Sequence, residues 1–420
     1  MSSFIDDIAN SAILDIKHSV CDLTAMFKDI RILDSTTNSS TVQVIATFDA
    51  AAKSYRAIND YIKTTGEDKV FIKIGFDEDG DNSADIERMM YKYLKKLLFE
   101  CRTPNIMRYV VGFRCNTFLD FLRSRSTYPK DTEYYADMLQ KVEDFVEREE
   151  ELNLDGNKAT ITLIELGKGM SFRDLLKSGN VTEGEFKSII FQVFYTLREF
   201  HLNKVRHNDT HLGNVWINIR NDPQRLIYFI NDDMYGILET KYVVKLYDFD
   251  RAAFTIGSFS NKILKDSYCP RVGMCENENE RFDLLILLTD LYHSWGGMYP
   301  FITKFVLQTI NNPKYLDPEN FKFPGRYCEI EPDPTFERCS ASATIEEDGI
   351  FNIEQLAKFT DYFDSYIKFL AKDGFQDRDI PIRTPAAKTD IPLYTFKTNF
   401  YVSSECSLTP IQMANKLLNK

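Results

Sequence analysis

The segment Arg206-His207-Asn208-Asp209-Thr210-His211-Leu212-Gly213-Asn214 holds reactive side chains at high density between two apolar runs. A polar loop at such a junction cannot serve a core. Three of the five histidines, His201, His207 and His211, lie in or beside it. Farther along, the strand-like run Val243–Tyr247 leads into Asp248-Phe249-Asp250. Two carboxylates, each at the mouth of a strand and separated by one strand-turn-strand unit, can face a single cleft. This is the equipment of phosphoryl transfer: a carboxylate to orient the attacking hydroxyl, and an Asp with an Asn to hold magnesium on nucleotide phosphates. His207 and His211 stand four apart, a spacing used for zinc, but they flank a loop rather than a helix face. They also lack the glutamate of an H-E-x-x-H site.

Elements of regular structure must position these groups. Thr182–Val205 reads as a long helix: Thr182 and Glu185 form a capping box, and Phe186, Ile189, Ile190, Val193, Phe194, Leu197 and Phe200 make one apolar face. It delivers the chain to the polar loop. Val215–Ile219 reads as the strand that leaves it. Residues 29–75 look β-rich, with strands at Thr41–Phe48 and Val70–Ile74, and Thr160–Glu165 is another strand. Ala84–Phe99 is helical in pattern, opened by capping candidates Asn82 and Ser83 after the polar break Asp77–Asn82. Ile13, Ile16, Val20, Leu23 and Phe27 mark an amphipathic N-terminal helix. The charged stretch 116–156, with its acidic run Glu147–Glu151, reads as solvated helix. Phe282–Tyr292, Pro300–Ile310 and Ile353–Ala371 read as further helices, 376–392 as a loop, and Thr409-Pro410 as the start of a short last helix.

The loop His207–Asn214 resembles the catalytic loop of protein kinases, H-x-D followed by four residues and Asn. Lys245–Asp250 (KLYDFD) resembles the strand and metal-binding Asp-Phe-Gly that follow it. The resemblance implies that Asp209 is the catalytic base, that Asn214 and Asp248 are magnesium ligands, and that His207 braces the backbone near Asp248. Val70-Phe71-Ile72-Lys73 is similar to the V-A-I-K strand, so Lys73 would contact the α- and β-phosphates. Glu87, in IERMMYKYL, resembles the helix glutamate that holds that lysine. Leu163–Gly167 falls where the hinge to the adenine belongs, which would bring Glu165 and Leu166 to the nucleotide. Asp283 in RFDLLILL resembles the buried aspartate that keeps the catalytic loop in shape. The matching parts run in the family's order over about residues 30–310.

The fold implied is α+β and bilobed. A helical extension would occupy 1–30, a β-rich lobe 31–166 with a helical insertion near 116–156, a mainly helical lobe 167–375, and a C-terminal extension 376–420. Residues 73, 209, 214 and 248 would meet in a crevice between the lobes. The implied activity is an ATP- and magnesium-dependent transfer to serine or threonine hydroxyls of a protein substrate, in the divergent, haspin-like style also found in large DNA viruses.

Several positions depart from the family pattern. No G-x-G-x-x-G precedes the lysine strand; the best overlay, Ser35–Val42, agrees only at Val42, so backbone N–H groups would meet the phosphates past side chains. Asp250 stands in place of the glycine of Asp-Phe-Gly and removes a flexible position. Asn208 stands where an arginine is usual, which removes the reason for a phosphorylated activation loop. No A-P-E falls between Asp248 and Asp283, and the excursion Asn221–Lys241 is long. His211 occupies the position of a lysine, as in haspin-like and small-molecule phosphotransferases. Two alternatives therefore stand beside the protein kinase: a small-molecule kinase of the aminoglycoside or choline type, and a kinase-fold scaffold without turnover, such as a virion component.

Bulk properties bound these readings. At 420 residues the chain exceeds the roughly 250–300 at which one core stops growing, and 44% apolar residues fill two. The net charge of −12 argues against binding a nucleic-acid backbone. The eight cysteines show no CxxC pair and read as free thiols of a reducing compartment. The acidic start and the absence of a long apolar run predict a soluble, intracellular protein without membrane attachment.

Overall fold

Alternating β-branched residues give a strand one buried and one outward row, and strands of this kind dominate the first part of the chain. The computed structural model describes residues 20–33, 41–77, 83–99, 102–126, 132–148, 155–231, 234–254, 261, 264, 281–317, 321–323, 326–327, 330–331, 338–339, 350–353, 356, 360–363 and 367–371. The described residues up to Tyr93, together with Met107–Leu166 and Asn261, form one unit, and the remainder form a second. The arrangement is mixed α+β, sheet-rich early and more helical later. Among the described residues no helix is long and apolar enough to cross a membrane.

In the first unit the strands are β1 (Phe27–Ile32), β2 (Val42–Phe48), β3 (Lys69–Asp77), β4 (Tyr109–Cys115) and β5 (Asp155–Glu165). They form one sheet in the order β1-β2-β3-β5-β4, with every neighbour antiparallel. Val70, Ile72, Ile74 and Phe76 alternate along β3 into the core, where Phe76 meets Phe118 and Phe145 at 6.2 and 5.6 Å between ring centroids. Those two rings come from helices Phe118–Arg125 and Thr132–Arg148. The stretch read as a solvated helix therefore buries one side: Leu122, Tyr135, Met138 and Val142 also join the core.

Two expectations for this unit need correction. The N-terminal amphipathic helix does not continue to Phe27, because Leu23–Ala25 is a single 3₁₀ turn capped by Asp22 and Phe27 opens β1. Its start, residues 1–19, lies outside the described residues. The β-rich span 29–75 also contains the helix Arg56–Thr65, which buries Ile58 and Tyr61 and ends at Gly66 with φ 72°. Glycine takes that left-handed cap without a Cβ penalty.

The cysteines also differ from expectation. Cys21 and Cys115 form a disulfide across 94 residues of sequence, with Cα atoms 5.1 Å apart. The backbone hydrogen bond from Val20 N to Arg114 O, 3.0 Å, aligns the two segments. Sequence spacing alone could not reveal a pairing so distant along the chain. Closing a loop of that length stabilises by about 2–4 kcal/mol, so Cys21→Ser is expected to lower the urea midpoint of unfolding. Reductant should shift the parent to the same midpoint and leave the variant unmoved. The expectations for Cys101, Cys269, Cys275, Cys328 and Cys406 lie outside the described residues.

The second unit is organised by the helix Glu183–Leu202. Thr182 Oγ1 accepts from the Glu185 backbone N–H and the Glu185 carboxylate accepts from the Thr182 N–H, completing the capping box. Strand β6 (Gly169–Ser171) precedes this helix, and β7 (Val205–Arg206), β8 (Val215–Asn231), β9 (Met234–Leu246) and β10 (Ala253–Phe254) follow it. The excursion Asn221–Lys241 is a continuation of the β8–β9 hairpin, whose register shifts between Ile219 and Gln224, around Pro223. Proline lacks the N–H a ladder needs, which fits such an irregularity. Helices Phe282–Trp295 and Pro300–Thr309 come next.

The helix expected over Ile353–Ala371 is not formed as such. Among the described residues of that span Thr360–Phe363 is α-helical, and Ile367–Ala371 is a strand antiparallel to β9. A short apolar run satisfies either period, and the open edge of β9 decides between them. The loop 376–392, the helix at Thr409-Pro410, the overlay residues Ser35–Ser40 and the break at 78–82 lie outside the described residues.

Candidate active site

In the first unit, Lys73 lies on the face of β3 opposite the core row. A Cβ on Gly75 would stand 2.7 Å from the Ala84 Cβ, so glycine there lets the helix Ser83–Phe99 approach the strand closely. One turn beyond Ala84, Glu87 meets Lys73: Nζ donates to Oε1 at 2.7 Å, and both side chains are almost wholly buried. A buried ion pair has no large net stabilising value against an apolar substitute, but it strongly penalises loss of one partner. Such a pair fixes an ammonium on the sheet face. Val42 is buried and packs into the core cluster of this unit. Glu165 ends β5, where Oε1 accepts from the Arg108 N–H at 3.1 Å, and Leu166 beside it is half-buried.

In the second unit, the loop 206–214 is shaped by two aspartates on one helix. Asp283 and Asp290 are seven residues apart, two turns of helix, and share a face. Both are completely buried in a leucine-rich helix, Phe282–Trp295. The Asp283 carboxylate accepts the backbone N–H of His207 at 2.9 Å and of Asn208 at 2.6 Å, and its Oδ2 lies 3.4 Å from His201 Nε2. Thr210 Oγ1 donates to the Asp283 backbone carbonyl. Asp290 accepts the Leu212 N–H at 2.8 Å and the Arg173 guanidinium at 3.3 Å. Burial by itself would raise the Asp283 pKa. The hydrogen bond and charge of His201, with His207 and its N–H, hold the carboxyl below its ordinary range instead.

This scaffold sets the remaining groups. His207 Nε2 lies 3.0 Å from the carbonyl of Tyr247, the residue before Asp248. Its ring packs 4.8 Å from that of Phe249, which in turn meets Phe200 at 5.9 Å. The Tyr247 hydroxyl donates to Gly213 O at 2.7 Å, and Val215 pairs with Leu246 in the hairpin. Asn214 and Asp248 are thus carried on adjoining chain segments of one unit. Asp248 is half-buried and has φ 70°, a left-handed conformation uncommon outside glycine. Asp250 is buried, and Asp209 is buried in the loop.

Asn214 Nδ2 donates to the Asp209 carbonyl at 2.9 Å and to Asp209 Oδ2 at 3.3 Å. Two acceptors on the NH₂ fix the amide orientation, and Oδ1 accepts no hydrogen bond among the described residues. A hard cation needs oxygen of that kind. Asn214 Oδ1 and the Asp248 carboxylate are the oxygens here that could hold a hard cation. Among the described residues no cluster of three or more His, Cys, Asp or Glu could hold a metal on its own. His211 Nε2 is 3.7 Å from Asp209 Oδ2, and Nδ1 accepts from the Gly213 N–H at 3.0 Å. Burial lowers the His211 pKa, against the pull of Asp209, which favours the neutral ring.

Sequence reasoning did not single out Asp290, Tyr247 or Arg251. Asp290 had a usable signal, a second acid at helical phase in a run of leucines. Arg251 donates from Nη1 to Asp209 Oδ2 at 2.9 Å, a contact made through a turn that spacing does not encode. In comparison with known proteins, the chain matches no family model and no curated protein.

Proposed function

We propose that the chain is an ATP- and magnesium-dependent phosphotransferase of divergent, haspin-like protein-kinase type, built on the bilobed plan of that family and acting on serine or threonine hydroxyls of proteins. The observation that carries this reading is the Asn214 amide, held by Asp209 with Oδ1 left as an acceptor beside the strand end bearing Asp248. Lys73, fixed by Glu87, is assigned to the nucleotide phosphates. Asp209 orients the acceptor hydroxyl and takes its proton. Asp248 and Asn214 hold magnesium, which when bound neutralises the charge developing on the phosphoryl oxygens. Catalysis on this account comes from positioning and charge complementarity, with no covalent intermediate on the protein.

Transfer to a small alcohol remains the second reading. It draws on the neutral His211 ring 3.7 Å from Asp209, where a cation would otherwise meet a peptide acceptor. Incubating the full chain with γ-labelled ATP and casein, histone, choline or an aminoglycoside tests both. Label on protein only in the presence of magnesium supports the kinase, and label on the small alcohols supports the second reading. Label nowhere, together with no magnesium-dependent rise in melting temperature with ATP, favours the scaffold. ATP at one hundred times its Kd would add about 2.7 kcal/mol to the folded state.

A further inference from the structure

We infer that Arg251 is a positioning residue for Asp209, supplying the cation that the loop 207–214 does not carry; this rests on the proposed phosphotransferase reading. Between His207 and Asn214 there is no lysine or arginine. The histidine nearest the carboxylate, His211, keeps its Nε2 3.7 Å from Asp209 Oδ2, beyond hydrogen-bond reach. Arg251 fills that place from a different segment, donating to Asp209 Oδ2 at 2.9 Å with its side chain 17% exposed and that of Asp209 5% exposed. A surface ion pair would be worth little. This one is largely removed from water, where a charge-assisted hydrogen bond is stronger.

The position of Arg251 is itself determined. Asn208 Nδ2 donates to the Arg251 carbonyl at 3.0 Å. Asn208 has φ 61°, a left-handed conformation that asparagine tolerates better than most residues. Its own N–H is anchored on Asp283. Two residues beyond Arg251, Ala253 pairs with Arg206 across β7 and β10. The asparagine in place of a loop arginine therefore has a function: it secures the backbone from which Arg251 reaches the base. With Arg251 and Asn214 both on Oδ2, the plane of the carboxylate is fixed before an acceptor arrives, which lowers the cost of orientation during transfer.

The test uses the full chain with magnesium-ATP and casein. Arg251→Ala is expected to lower kcat by about ten- to hundredfold with the KM for ATP within about twofold. Added guanidinium ion should restore part of that kcat, while sodium chloride at equal ionic strength should not. Arg251→Lys should fall between parent and alanine, because an ammonium keeps the charge but not the fork. Asn208→Gly, which keeps the backbone conformation, should lose about three- to tenfold. An Arg251→Ala kcat equal to the parent's overturns the inference and leaves the phosphotransferase reading standing. So does a loss that follows a lowered melting temperature and is not relieved by guanidinium. A parent chain that transfers nothing overturns both.

Discussion

Asp248→Gly is expected to unfold at a higher urea concentration than the parent and, on the phosphotransferase reading, to transfer phosphate at least about a thousandfold more slowly. The two effects have separate causes. Asp248 sits at φ 70°, where a Cβ is crowded against its own backbone. For an L-residue this costs about 1–2 kcal/mol. Glycine removes the crowding but gives back roughly 0.5–1 kcal/mol through the greater freedom of the unfolded chain. The net gain is then roughly 0–1.5 kcal/mol. Strain of this kind persists where the surroundings hold it, and it concentrates at functional sites. The holders are visible: His207 on the Tyr247 carbonyl, the Tyr247 hydroxyl on Gly213, and the Phe249 ring against His207 and Phe200. Asp248→Asn is the companion variant, since asparagine accepts the same backbone but carries no charge. It should match the parent in stability and share the inactivity of the glycine variant. An Asp248→Gly chain less stable than the parent would contradict the strain argument. One that transfers at the parent's rate would remove Asp248 from the proposed magnesium ligands.

The legible parts of this chain were those whose cause is local. The capping box Thr182–Glu185 and the apolar face after it announced the long helix, because both signals lie within one element. The run Val70–Ile74 announced β3 by its period. A polar stretch between two apolar elements announced the loop at Asp209. Other features depend on partners far away in sequence. The β8–β9 hairpin extends through Asn221–Lys241, which reads as excursion until its own return strand is paired with it. Ile367–Ala371 is a strand because β9 offers an edge, and strand preference is set by such context more than by residue type. Cys21 and Cys115 are joined across 94 residues, a distance at which composition suggests no pairing. Arg251 was hidden for a different reason: its contact with Asp209 depends on the turn after Asp248 and on the left-handed backbone of Asn208, neither of which a motif records.

The buried pair Lys73–Glu87 permits a sharper separation of stability from chemistry. Lys73→Met should cost about 3–5 kcal/mol, because the Glu87 carboxylate is left in a nearly water-free place without the ammonium 2.7 Å away. Glu87→Leu should cost a similar amount by removing the carboxylate 2.7 Å from the buried ammonium. The double variant Lys73→Met/Glu87→Leu removes both charges and fills their volume with apolar groups, a change that is often neutral or stabilising for such pairs. Its urea midpoint should return close to the parent's, giving a coupling energy of several kcal/mol in the cycle. A pair with only a structural role would then be fully replaced, and every other property would return with stability. On the phosphotransferase reading transfer does not return, because no methionine can meet a phosphate oxygen, and the ATP-dependent rise in melting temperature shrinks with it. A stable double variant that transfers phosphate at the parent's rate would show that Lys73 holds the helix Ser83–Phe99 against β3 and does nothing for the nucleotide.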